Sequence, residues 1–299
     1  MTDNDNNEEI TSTQKKNCKL AQENFENKNV FLNPITEENI HTAIDPHAKI
    51  LNIEIISSSV DPKGKTLRIT PEGLVDSKRN EKDMITYFGY EDNTNGIDYV
   101  ITPKEDAKDL DERFYGKHFQ IRFNPSDSHY YLKDLGHGFG TFIKITSSIV
   151  IRNNLLINIG ENYIVFTLGI EEDTVKTKID SSQKEDSDNI LNVKIFSGNT
   201  KQDIMSYSPK KSPLTIGRSP ECDVLVEDSM LSRVHCTLQF KGGNWYIIDG
   251  NVIDEEEIRP STNGTWIYAF EDMEIKDQMT FKANHNLFIC SFGQNDIQE

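Results

Sequence analysis

Gly217-Arg218, Ser232-Arg233-Val234-His235 and Ser261-Thr262-Asn263-Gly264-Thr265-Trp266 follow one another along one stretch of this 299-residue chain. Each borders a strand-like run. Leu214-Thr215-Ile216 precedes the first segment, Cys236-Thr237-Leu238-Gln239-Phe240 follows the second, and the run from Trp245 to Asp249 comes before the third. Alternating apolar runs punctuated by Gly, Asn and Ser predict strands joined by tight turns, with these polar segments at the strand ends.

Working outward, the same pattern fills most of the chain. Candidate strands lie at 51–56, 66–70, 84–88, 99–102, 119–123, 130–134, 139–145, 155–159 and 163–168, separated by breakers such as Asp61-Pro62-Lys63-Gly64 and Asn124-Pro125-Ser126. Residues 1–48 lack sustained periodicity and are rich in Asn, Glu and Lys. They predict a polar, largely disordered tail with a short helix near 14–25. Residues 171–189 are polar and read as a linker, after which the strand pattern restarts at Leu191. The expected organisation is therefore all-β: a tail (1–48), one β-sandwich (49–170), a linker (171–189) and a second β-sandwich (190–299).

The charge is strongly acidic, 49 Asp and Glu against 32 Lys and Arg, or −17. Such a surface repels a nucleic-acid backbone and disfavours general DNA or RNA binding. Cys18, Cys222, Cys236 and Cys290 are scattered, with neither metal-ligand nor disulfide-framework spacing, so reduced thiols and no metal are expected. The polar start is no signal peptide, and no apolar run approaches the roughly 20 residues that cross a bilayer. These features predict a soluble intracellular protein without membrane contact. The phosphate loop, the kinase signature set and metal-ligand spacing are all missing, and Gly136-His137-Gly138-Phe139-Gly140 lies between strands rather than ahead of a helix. No enzyme and no cofactor are expected.

The three opening segments, taken together, resemble the forkhead-associated (FHA) domain, a β-sandwich module that binds phosphothreonine peptides. The resemblance implies that Arg218 approaches the phosphate, Ser232 donates to it, and Asn263 holds the peptide main chain. Arg233 and Thr262 stand beside them, while Gly217, His235 and Gly264 support the loops. The residue types suit these roles, since a guanidinium is a permanently charged fork, a hydroxyl rotates to meet an oxygen, and an amide both donates and accepts. Met230, two residues before Ser232, offers an adaptable apolar contact. Asp254-Glu255-Glu256-Glu257, inserted ahead of the third segment, is either a solvated loop with no role or a device that disfavours acidic peptides and favours basic flanking residues.

The first half looks like a degenerate relative of the second. Tyr90, Tyr115 and Phe139 stand where the second half has Arg218, Ser232 and Asn263, while His118 and Gly140 are retained. Two FHA-like sandwiches in tandem are expected, the first a scaffold without phosphate contacts. Its aromatic residues form either a contact patch or loop packing. Two functions follow from this reading. One is a phosphothreonine-dependent adaptor whose partners are phosphothreonine-containing proteins, with the first domain as a route into a larger assembly. The other is a structural subunit of a stable assembly, ciliary, cytoskeletal or other, that uses both sandwiches independently of phosphate.

Overall fold

The computed structural model describes residues 48–58, 61–77, 79, 82–90, 96–102, 116–169, 189–196, 203–254 and 257–293. The expected tail with its short helix and nearly all of the expected linker lie outside them. Among the described residues there is no α-helix, and strands dominate.

The chain first lays down eight strands: β1 (Ile50–Ser57), β2 (Thr66–Thr70), β3 (Gly73–Leu74), β4 (Ile85–Tyr90), β5 (Tyr99–Thr102), β6 (Lys117–Asn124), β7 (His129–Asp134) and β8 (Thr141–Lys144). Next come β9 (Ile149–Val150), β10 (Leu155–Ile159), β11 (Asn162–Leu168), β12 (Leu191–Phe196), β13 (Asp203–Tyr207), β14 (Leu214–Gly217) and β15 (Val224–Leu225). These are followed by β16 (Cys236–Lys241), β17 (Asn244–Asp249), β18 (Asn251–Val252), β19 (Ile258–Arg259) and β20 (Trp266–Tyr268). The last three strands are β21 (Met273–Glu274), β22 (Thr280–Ala283) and β23 (Asn286–Gly293).

These strands form two compact units. Lys144–Ile267 makes a contiguous unit, whereas a composite unit joins the described residues up to Ile143 with those from Tyr268 onward. The division expected at 171–189 is not the one the contacts follow. Each half of the sequence hands its last strands to the other half's sandwich. In the composite unit one sheet runs β8-β22-β23-β1-β2-β3 and the other β21-β7-β6-β4-β5. In the contiguous unit the orders are β13-β12-β11-β10-β20 and β15-β14-β16-β17-β9, with β18-β19 a separate hairpin.

Matching positions show the exchange. β23 pairs antiparallel with β1 in the composite unit, with Leu51 opposite Phe292. In the contiguous unit β11 pairs the same way with β12, Ile164 opposite Ile195. β21 borders β7 as β9 borders β17. The parallel pairs β4–β5 and β14–β15 also correspond.

Alternation explains the layering. β1 buries Ile53 and Ile55 around exposed Glu54, and β6 buries Phe119, Ile121 and Phe123 at every second position. In the composite core Phe119 of β6 meets Phe281 of β22 edge-on at 5.6 Å and Phe288 of β23 at 6.2 Å. Those rings join the two sheets, and burying each contributes roughly 1.5–3 kcal/mol. Trp245 is the largest fully buried side chain of the contiguous unit. Its indole N–H reaches the Asn189 carbonyl at 2.8 Å, which fixes the entry to β12.

Candidate functional site

Three loops of the contiguous unit carry the residues singled out from the sequence. The β14–β15 loop begins at Arg218, the β15–β16 loop holds 226–235, and the β19–β20 loop holds 260–265. Backbone bonds lace the first two together: Arg218 N–H donates to the Ser232 carbonyl at 3.2 Å, and Ser219 N–H to Arg233 at 3.1 Å. A Cβ at position 217 would collide with the Arg233 carbonyl, so this close approach needs glycine.

The side chains converge on the same ground. Arg218 is exposed, and its Nε donates to the Leu231 carbonyl at 2.7 Å, which aims the rest of the guanidinium. Among the described residues it forms no ion pair, so its charge is not spent on a carboxylate. Ser232 Oγ accepts the Thr262 backbone N–H at 3.0 Å and lies 3.3 Å from the Thr262 hydroxyl. Asn263 is exposed, and its amide nitrogen donates to the Met230 carbonyl at 2.8 Å. That bond orients the amide and joins the second loop to the third. Arg233 is exposed beside them, and Met230 is 56% exposed.

His235 works beneath the loops rather than at the surface. It is fully buried; Nδ1 accepts the Ser232 N–H at 3.3 Å, and Nε2 lies 3.1 Å from the Gly264 carbonyl. With an N–H on one side and a carbonyl on the other, the ring proton sits on Nε2. Gly264 has φ +78°, and Trp266 Nε1 donates to the Asn263 carbonyl at 3.0 Å, closing the turn from below.

Two anchors were not singled out from the sequence. Asp249, the last residue of β17, takes the Ser261 hydroxyl at 2.7 Å and the Thr265 hydroxyl at 2.8 Å on Oδ1, and the Ser261 N–H at 3.2 Å on Oδ2. It holds both ends of the loop that presents Asn263. The signal was available, because Asp134 ends β7 at the matching position. Asp228 is the other anchor: its carboxylate meets the turn between β10 and β11.

The acidic insertion is part of the β18–β19 hairpin. Asp254 Oδ1 caps the Glu257 N–H at 2.8 Å, and Glu255 and Glu256 lie outside the described residues.

The composite unit treats the matching ground differently. Tyr90 is buried at the end of β4, so it presents no exposed face, and Tyr115 lies outside the described residues. The Phe139 N–H donates to Asn284 Oδ1 at 2.9 Å, and its ring packs against His285 at 5.7 Å. The β22–β23 turn therefore holds the loop that would otherwise present an asparagine. His118 is buried, and burial drives its pKa down to about 4, partly opposed by the Gly140 backbone. Burial raises Asp134 to about 6 despite its bonds from Tyr268 and the Gly136 N–H.

With this geometry in place, the comparison with known families is specific. Residues 214–280 match the FHA domain. No curated protein matches the sequence. The FHA match begins at β14 and includes all three loops. It then runs on through β21 to the first residue of β22, so it leaves the contiguous unit and ends in the composite one. An FHA domain is an interaction module that binds phosphothreonine peptides and is not catalytic, and the all-β architecture accords with it. Among the described residues no His, Cys, Asp or Glu group of three or more is placed to hold a metal ion. No described helix is long and apolar enough to cross a membrane.

Proposed function

We propose that the chain is a non-enzymatic adaptor that binds phosphothreonine-containing proteins through the three loops of its contiguous unit. The observation that carries this reading is the meeting of Arg218, Ser232 and Asn263 on loops bonded to one another, with the arginine free of carboxylate partners among the described residues. A phosphothreonine brings about −1.5 to −2 charges and three acceptor oxygens. Arg218 supplies the charge, Ser232 the hydroxyl, and Asn263 the amide for the peptide main chain, with Arg233 and Thr262 alongside. In a chain of net charge −17, that local cation must outweigh the surrounding field.

The composite unit serves as the scaffold and as a route into a larger assembly. A phosphate-independent structural role for both sandwiches is the second reading, favoured by the packing of Asn284 and His285 on Phe139. Fluorescence polarisation with a degenerate phosphothreonine peptide library separates the two. Saturable binding by the wild type, absent for unphosphorylated peptides and lost in Arg218→Ala, supports the adaptor. No binding by either protein moves the assignment to the structural subunit.

A further inference from the structure

The loop that presents Met230 and Ser232 does not stand alone. Asp228 lies at its start, and its carboxylate bonds in two directions. Oδ1 accepts the Met230 N–H at 2.8 Å within the loop. Oδ2 accepts the Glu161 N–H at 3.0 Å and the Asn162 side-chain amide at 2.8 Å, both on the turn between β10 and β11. Asn162 is 4% exposed, so its amide has little access to water as an alternative partner. Asn158 braces the turn from behind, donating to the Asn162 carbonyl at 3.0 Å.

The fit is close. A Cβ on Gly160 would collide with the Asp228 carboxylate and would sit only 3.0 Å from Leu231 Cδ2. Glycine at 160 is what lets the turn come this close to Asp228 and Leu231. The turn is supplied by sequence that precedes the FHA match by about fifty residues.

We infer that Asp228 is a positioning residue that clamps the Met230–Ser232 loop onto the exchanged turn Gly160-Glu161-Asn162, and so holds the phosphopeptide-reading face in register. This rests on the phosphothreonine reading of Ser232 and Asn263. The clamp acts on both, because Asn263 bonds the Met230 carbonyl and Ser232 follows two residues later. Asp228 itself touches no peptide. Its effect runs through the carbonyl of Met230 and the seat of Leu231.

The test uses the full chain and two variants that break the clamp from opposite sides, Asp228→Ala and Asn162→Ala. The second leaves the Asp228–Met230 bond intact and keeps the inference testable if the first fails to fold. Amide hydrogen exchange is read at Leu231 and Ser232, whose N–H partners are the Asp228 backbone carbonyl and His235, which neither variant removes. Both amides should exchange faster. Affinity for the phosphothreonine peptide should fall about tenfold while the requirement for phosphate remains. Unchanged exchange in Asn162→Ala overturns the clamp. Faster exchange with undiminished affinity overturns the positioning role. If the wild type binds no phosphothreonine peptide, the reading of the site fails and the positioning role with it, while the exchange data still decide whether the clamp exists.

Discussion

Asn162 and Asn286 occupy the same place in two different hairpins, each buried at the first turn-proximal position of the second strand. Asn162 gives its amide to the Asp228 carboxylate, and Asn286 gives its own to the Ile101 carbonyl at 2.9 Å and the Ala283 carbonyl at 3.2 Å. One asparagine thus seats a hairpin from the first half of the sequence in the contiguous unit. The other seats a hairpin from the second half in the composite unit. Both exchanged hairpins are held by a polar fastening as well as by their apolar faces.

The exchange predicts which fragment folds. A fragment of residues 144–268 contains every strand of the contiguous unit and should unfold in a single cooperative thermal transition. A fragment of residues 190–299 lacks β9, β10 and β11, leaving β12 without the neighbour that covers Leu191, Val193 and Ile195. It should be less stable by several kcal/mol, at roughly 1.5–3 kcal/mol for each large apolar side chain uncovered. Circular dichroism melts of the two decide the matter. Greater stability for 190–299 would mean that its own β22–β23 hairpin takes the vacant place.

Arg218→Lys tests geometry apart from charge. The ammonium keeps the positive charge but loses the Nε bond to Leu231 and the planar fork. Phosphopeptide affinity should fall by roughly 10- to 100-fold, matching about 1.5–3 kcal/mol for a charge-assisted bond. The melting temperature should hardly move, because the side chain is exposed. Equal affinities for the two proteins would remove the guanidinium from the site.

Asp249→Ala should damage both stability and binding. It removes the acceptor of the buried Thr265 and Ser261 hydroxyls, at about 1–3 kcal/mol for each donor left without one, while Ser261 Oγ keeps the Gly264 N–H. Chemical denaturation should show a loss of roughly 3 kcal/mol, and phosphopeptide binding should drop by more than tenfold as Asn263 loses its frame. A variant as stable as the wild type would show that the turn is held by its backbone alone.

The composite unit should respond to acid through two opposed titrations. His118, held down to about 4 by burial, contributes stability above the unfolded value of 6.5 that is lost as pH falls toward 4. Asp134, raised by burial to about 6, contributes stability below 3.8 that is lost as pH rises toward 6. His118 Nε2 and Asp134 Oδ2 lie 3.7 Å apart, so the two titrations are coupled, and they pull stability in opposite directions between about pH 4 and 6. Asp134→Asn leaves the histidine unopposed. Urea midpoints measured from pH 7 to 4 should then fall more steeply than in the wild type, and parallel curves would refute the opposition.

Much of this architecture is legible in the sequence because alternation and turn residues are local. β2, β5 and β10 begin and end where the apolar runs do, and the other expected strands of the first half shift by only a few residues, whereas the two-residue strands β3 and β9 have no such run to mark them. Met84, expected to open β4, has φ +64° and precedes it instead. The exchange is not legible. Residues 155–168 and 280–293 are both apolar hairpins of matching length, and period alone cannot say which sandwich each completes. What decides it is side-chain chemistry at long range, such as Asp228 with Asn162, 66 residues apart. The same reasoning separates the parts of the site. Arg218 and Asn263 adjoin glycines and Ser232 lies three residues before a histidine, which mark their loops, whereas Asp249 shows itself by matching Asp134 at a strand end and Asp228 only through distant partners.

Leu51 pairs with Phe292, so the first strand of the composite unit waits for the last one to be made. On a ribosome, the segment from Lys144 to Ile267 is delivered whole before residues 268–293 appear. Of the two sandwiches, the one begun later is therefore the first that can close. The loops bearing Arg218 can be finished while β1 still lacks β23. Any nascent-chain factor that shields unpaired strands would find its target in β1, held open across more than two hundred residues of elongation until β23 emerges.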